Sequence, residues 1–344
     1  MQNHYSIPKL FQNHILFQII LVIVFILPIS LLSEEKVDIT PKILALVRTK
    51  AEQNLSTENM NFMVRNARFG VKGKITNQLS YKIEIDWMDK EDMDMNDAKI
   101  IYTPIKDLDI TLGQFKVPFS NDYQRNPADY SFANRTFITK RLAKNMRDVG
   151  VMLGYTLPIE SMPIKLEFGI FNGNSSNSFE HDLQKAVSGK LSISPFSKSL
   201  FTLSGYKGQI TTDKVKKTYE TAEMIGASYT HQIGDFLIDV EAASKSYKDT
   251  INTNFWSVFG ILSYNINIGG DLPIIKITPA IRYEIYNKTP DSKEESPRRL
   301  SLGLTFHLKE GNNSYFRLDY EKYNYKSGIR SNSDMLTLEY VIRI

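Results

Sequence analysis

"RDVGVMLGYTLPIESMPIKLEFGIF", Arg147–Phe171, holds two alternating runs around a proline-flanked turn. In the first, Val149, Val151, Leu153 and Tyr155 share one face, and Asp148, Gly150, Met152 and Gly154 the other. In the second, Ile164, Leu166, Phe168 and Ile170 oppose Lys165, Glu167 and Gly169. Successive strand side chains point to opposite faces, so a period of two means a strand with one apolar and one polar surface. The short link Pro158–Met162 makes the pair an antiparallel hairpin.

The same period runs outward in both directions. "YKIEIDW" (Tyr81–Trp87), "RRLSLGLTFHL" (Arg298–Leu308) and "DMLTLEYVIRI" (Asp334–Ile344) all alternate. A soluble sandwich alternates too. Here, however, the polar face carries charge, Gly and Ser, while the apolar face often ends in Tyr, Trp or Phe. That pattern fits a lipid-facing band with aromatic girdles around a polar lumen. The connections point the same way. Short links fall near Ile75–Gln78, Pro104–Asp107, Pro158–Met162, Pro195–Lys198, Gln232–Asp235, Gly269–Leu272 and Glu310–Asn313. Longer ones fall between them, at Met88–Asn96, Val117–Arg147, Asn172–Gln184, Lys207–Thr218, Tyr247–Asn254, Asn287–Pro297 and Asn324–Asn332. Short turns on one side and long loops on the other are the mark of a transmembrane antiparallel β-barrel.

Counting from residue 61 gives 15 strands. Single-chain bacterial barrels have even numbers, so one upward strand must precede them. Lys42–Arg48, "KILALVR", supplies it, although Thr40 and Pro41 would also cap a helix. The expectation is an all-β barrel of 16 strands, with 14 as the fallback. At 42% hydrophobic residues and 23% charged, the chain is too polar for a helical membrane bundle; its mean hydropathy is −0.27. A barrel tolerates this because only alternate residues meet lipid.

Residues 1–33 read as a signal peptide: Lys9, an apolar run from Ile15 to Leu32, then Ser33 before an acidic start. The barrel domain is then 34–344. An uncleaved anchor helix is the other reading of the same run.

Val117–Arg147 is the longest connection and is rich in aromatics. It carries six bases (Arg125, Arg135, Lys140, Arg141, Lys144, Arg147) against Asp122 and Asp129, a net +4 that equals the formal charge of the whole chain. A 16-stranded barrel leaves an aqueous channel, so selectivity needs something folded inward. A cationic loop inside the pore would favour anions; outside it, the same loop would meet anionic lipid headgroups. Alternation also turns Arg68, Lys72 and Lys74 to the lumen, with Glu84, Asp86, Asp239, Glu241, Glu284, Asp319 and Glu339 among the acids that brace the wall.

Other classes find little support. There are no cysteines, and only His181, His231 and His307 follow the apolar segment, with no G-x-S-x-G nucleophile elbow. No His or Cys cluster has metal-ligand spacing, and "GVKGK" opens no helix as a phosphate loop would. Neither a cofactor, a catalytic residue nor a nucleic-acid partner is expected. The acidic stretch Asp89–Asp97 reads as a solvated loop.

"GQFKVPFS" (Gly113–Ser120) resembles the G-x-F-K-x-P-F-S signature of the phosphate-selective porin O and P family. "FMVRNARFGVKGKI", "YKIEIDW", "NDAKIIY", "RTFITKR", "MRDVGVMLGY" and "LEFGIFNGNS" follow that family's order, from about Phe62 to Ser175. The resemblance implies a trimeric 16-stranded porin of the bacterial outer membrane, inserted by the barrel-assembly machinery and conducting small inorganic anions such as phosphate. It also implies that Lys116, Arg135 and Arg141 stand at the constriction. Two positions depart from the pattern: Thr139-Lys140 replaces Glu-Arg after the T-F pair, and the last residue is Ile344 rather than an aromatic. The alternative function is a surface adhesin or receptor that acts through long polar loops such as Tyr286–Arg299.

Overall fold

The computed structural model describes residues 41–87, 93–178, 184–213, 218–248, 253–269, 271–289, 296–309, 314–326 and 331–344. The expected signal peptide lies outside them.

Sixteen strands follow one another. The first half comprises β1 Lys42–Asn54, β2 Asn59–Lys74, β3 Leu79–Trp87, β4 Met93–Ile105, β5 Leu108–Lys116, β6 Arg147–Leu157, β7 Ile164–Phe171 and β8 Ala186–Ile193. The second comprises β9 Ser199–Asp213, β10 Thr218–Ile233, β11 Phe236–Tyr247, β12 Asn254–Tyr264, β13 Ile274–Thr289, β14 Pro297–Leu308, β15 Tyr315–Tyr325 and β16 Ser333–Arg343. Ile266–Asn267 prolongs β12 along the same neighbour, β13.

Each strand pairs antiparallel with the next. β1 closes the ring on β16, from Leu46 opposite Arg343 to Asn54 opposite Met335. Closure leaves no unpaired edge, which is the condition for β structure to sit in lipid. Lys42–Arg48 is therefore strand, not helix, and the even count stands. Of the acidic stretch expected as a loop, Asp89–Asp97, the part from Met93 belongs to β4. Its Asp97 is buried on the wall, paired with Lys82 and Arg147.

Burial is inverted relative to a soluble protein. Ile83 is 51% exposed, Phe168 54% and Leu338 52%, whereas Arg48, Glu284, Asp319 and Glu339 are fully buried. Apolar side chains cover the outside and charges fill the inside, as the alternation demands in a bilayer.

β5 ends where the sequence places the release. Val117 makes one more rung, donating to the Met146 carbonyl at 2.9 Å. Pro118 has no N–H to continue the ladder. Ser120 then takes a left-handed φ of 61° and caps a single helical turn, Asn121–Gln124. Upstream, Gly113 has φ +116°, and a Cβ there would lie 2.1 Å from the Ala98 carbonyl oxygen. Only glycine fits that conformation and that contact.

Candidate functional site

Residues 117–146 fold into the barrel and follow its inner wall from β8 round to β1. The wall side chains hold the loop by its backbone. Ser188 on β8 donates to the Pro118 carbonyl at 3.0 Å. Glu241 on β11 accepts the Asp122 N–H at 2.8 Å. On β15, Tyr315 donates to the Ala128 carbonyl, Arg317 to that of Tyr130, and Asp319 accepts the Ala133 N–H. Arg48 on β1 donates to the Ala133 carbonyl, and Arg282 on β13 to that of Asn134. On β14 Arg299 donates to the Arg135 carbonyl at 2.6 Å, and Glu284 on β13 accepts the Phe137 N–H at 2.7 Å. Lys245 on β11 donates to the carbonyls of Arg141 and Leu142.

These wall charges are also paired with one another. Arg48 and Arg317 share Glu339, and Arg282 and Arg299 share Glu321. A buried charge left alone costs several kcal/mol, so such a network is stable only when each member is bonded. Loop aromatics complete the seal: Phe119, Phe132 and Phe137 are buried, and the Arg299 guanidinium lies 4.8 Å from the Phe137 ring centroid.

The loop thus fills the β8–β16 side of the lumen and leaves the β2–β7 side open. Two cavities lie there. The upper one, on the side of the long loops, has a volume of about 410 Å³. It is lined by Arg65, Arg68, Arg135, Lys140, Arg141, Lys144 and Arg147, with only Asp86 and Asp94 as acids. Seven bases against two carboxylates leave a net +5. The lower one, about 330 Å³, is lined by Arg68, Lys82, Lys99, Lys116, Arg147 and Lys165 against Glu84, Asp97, Asp109 and Glu167, a net +2. Arg68 and Arg147 line both, and so stand where the two meet.

The residues singled out from sequence fall into three groups. Arg135, Lys140, Arg141 and Lys144 border the upper cavity. Arg135 lies 5.9 Å from the Tyr130 ring, and its buried Nε has no hydrogen-bond partner among the described residues. Arg141 stacks 4.6 Å from the Tyr286 ring. Lys140 is held below the ordinary lysine range, first by desolvation and then by the Arg299 and Arg141 cations. Arg68 and Arg147 form the second group, at the junction. Arg68 is held by Asp86 at 2.8 Å and Glu84 at 3.3 Å, Arg147 by Asp97 at 3.2 Å.

The third group serves elsewhere. Arg125 is committed to Asp239, with a second contact at 2.7 Å, and anchors the loop to β11. Lys116 gives its ammonium to the Tyr123 and Arg125 carbonyls, both at 2.7 Å, and so ties the loop's entry while still bordering the lower cavity. Lys72 and Lys74 border neither of these two cavities and lie further toward the short-turn end. There Lys42, Lys72, Lys82 and Lys99 stand directly opposite one another across β1–β4. Like charges so placed repel; Glu84 at 2.9 Å and Asp97 at 2.7 Å offset Lys82.

Alternation alone misses Arg65. Arg48 pairs with Asn66 and Thr49 with Val64, so Arg65 is the extra residue of a β-bulge. The bulge re-aims its side chain into the upper cavity, against the strand's period. Asn96 is bulged out of the β3–β4 register in the same way and donates to Glu84 at 3.2 Å. The Thr139 departure also has a partner: Thr136 and Thr139 both donate to Asp122, at 2.7 and 2.5 Å.

Among the described residues no cluster of three or more His, Cys, Asp or Glu could hold a metal. Residues 88–92 and, within the loop Tyr286–Arg299, 290–295 lie outside the described residues.

A closed 16-stranded barrel with an apolar outer band, a charged lumen and a loop folded into it is an outer-membrane diffusion channel. The family model described as "Phosphate-selective porin O and P" matches residues 45–232, more than half of the chain. The chain belongs to that family. Comparison with curated proteins found no match. Solved structures share the fold. The anion-selective porin of Comamonas acidovorans superposes with a TM-score of 0.65 at 9% identity, over 89% of this chain and 99% of that one. The outer-membrane channel DcaP of Acinetobacter baumannii gives 0.65 at 12% identity, over 91% and 99%. OmpT of Vibrio cholerae, in a trimer form, gives 0.63 at 13% identity, over 89% and 99%.

Proposed function

We propose that the channel is anion-selective and passes phosphate or similarly small inorganic anions. The observation that carries this reading is the net +5 of the upper cavity, which shares Arg68 and Arg147 with the lower one. Fixed cations lining an aqueous passage with low-dielectric walls raise the local concentration of anions and exclude cations. Arg135 borders that cavity, and a planar guanidinium suits bidentate recognition of an oxyanion. The family's description and the anion selectivity of the Comamonas porin agree with this. A homotrimer in outer-membrane lipid, assembled after cleavage of residues 1–33 and insertion by the barrel-assembly machinery, completes the reading. The test is the reversal potential of the pure protein in planar bilayers, under gradients of potassium chloride and then of potassium phosphate. Anion preference in both supports the proposal, and cation preference or a non-conducting barrel rejects it.

A further inference from the structure

The membrane-facing wall carries a second feature, separate from the pore. Gly189 on β8 lies directly opposite Gly205 on β9. Ile225 on β10 flanks the pair on one side and Phe168 on β7 on the other, and Leu153 on β6 follows. Ile225 is 70% exposed and Phe168 54%, so two ridges stand over a glycine floor. The resulting groove has a volume of about 650 Å³, with Leu191 and Leu203 along it. These glycines are not forced by packing. A Cβ would come no closer than 3.7 Å at Gly189 and 3.8 Å at Gly205. Glycine inside a strand weakens it, and one use of such a position is to let a ligand or another backbone approach closely; here two glycines face each other beneath exposed ridges.

One rung toward the long-loop end, on the same outer face, Lys207 follows Gly205 along β9 and lies opposite Glu223. Lys207 and Lys248 both reach one oxygen of Glu223, at 2.8 and 2.9 Å. Two ammonium groups against one carboxylate leave a positive charge at the head of an apolar slot. Both lysine side chains remain more than half exposed. A stable protein partner would need roughly 800 Å² of surface per side, whereas this slot is two residues wide.

We propose that the groove over Gly189 and Gly205 is a binding site for a single lipid of the outer leaflet, its acyl chain in the slot and its phosphate headgroup on Lys207 and Lys248. The test adds dipalmitoylphosphatidylglycerol to delipidated full-length protein in mild detergent and counts bound lipid by native mass spectrometry. The expected result is one tightly held lipid per barrel. Gly205→Phe fills the slot and should weaken binding by at least about tenfold. K207E/K248E should do the same, and Gly260→Phe, at an equally open position elsewhere on the outer face, should not. Folding of each variant is read from heat-resistant electrophoretic mobility. Equal retention by folded Gly205→Phe and wild type overturns the proposal. So does a Gly205→Phe variant that instead loses its oligomeric state, because the groove would then seat a second copy of this chain. An unchanged bilayer conductance in Gly205→Phe separates this site from the anion pathway.

Discussion

The upper cavity's charge can be inverted without touching the wall. Arg135, Lys140 and Arg141 all sit on the loop and border that cavity. The triple variant R135E/K140E/R141E changes the local charge by six, from a net +5 to −1. A cavity of 410 Å³ has a radius of about 5 Å, so a permeating ion passes roughly 6 Å from each group. In water one unit charge at that distance contributes about 0.7 kcal/mol. Six such changes give about 4 kcal/mol, and screening at 0.1 M salt leaves roughly 2 kcal/mol. At about 1.4 kcal/mol per decade the anion loses roughly thirtyfold and the cation gains as much, so the anion-to-cation preference should fall by about three decades. The assay is the reversal potential in a tenfold potassium chloride gradient. The loop's backbone bonds to Arg299, Glu284 and Lys245 involve none of the substituted side-chain atoms. Single-channel conductance with wild-type noise confirms that the loop stays seated. An unchanged reversal potential in such channels would refute the loop as the selectivity element and leave the wall bases Arg65, Arg68 and Arg147.

Four further outcomes follow from the same structure. Arg299→Ala strips a cation from Glu284 and Glu321 and a donor from the Arg135 carbonyl, which should cost about 3–5 kcal/mol and appear as larger, noisier conductance and protease-sensitive loop bonds. Asp239→Asn removes the partner of Arg125 and should raise anion preference; a fall would contradict the anchoring role. Gly113→Ala places a Cβ against the Ala98 carbonyl at a φ of +116°, so the yield of heat-modifiable folded barrel should drop sharply, while Gly154→Ala, whose nearest contact is 3.7 Å, should fold normally. Lys140, held below the usual lysine range by desolvation and by neighbouring Arg299 and Arg141, loses its proton earlier than a free lysine as pH rises. Anion preference should therefore begin to decline on the alkaline side before ordinary lysines titrate, and Lys140→Arg should abolish that early decline; an identical pH profile in the two proteins would remove Lys140 from the pathway.

Alternation in "RDVGVMLGYTL" and "IKLEFGIF", and the segregation of turns by length, determined a lipid-facing barrel, because side-chain direction in a strand is a local property of the backbone. Parity then fixed Lys42–Arg48 as strand before any contact was known. The charge of the 117–147 loop was equally legible. Which of its cations stay available was not. Arg125 and Arg135 look alike in sequence, yet one meets Asp239, 114 residues away, and the other borders the upper cavity. Lys116 looks like a pore residue but is occupied by two carbonyls that exist there only because the loop turns back on itself. Arg65 was hidden because a bulge breaks the period by which faces are assigned. Periodicity and composition are properties of the chain, so the sequence carries the barrel and its cationic loop. Pairing depends on which side chains closure brings within 3 Å of one another, and only the closed barrel decides that.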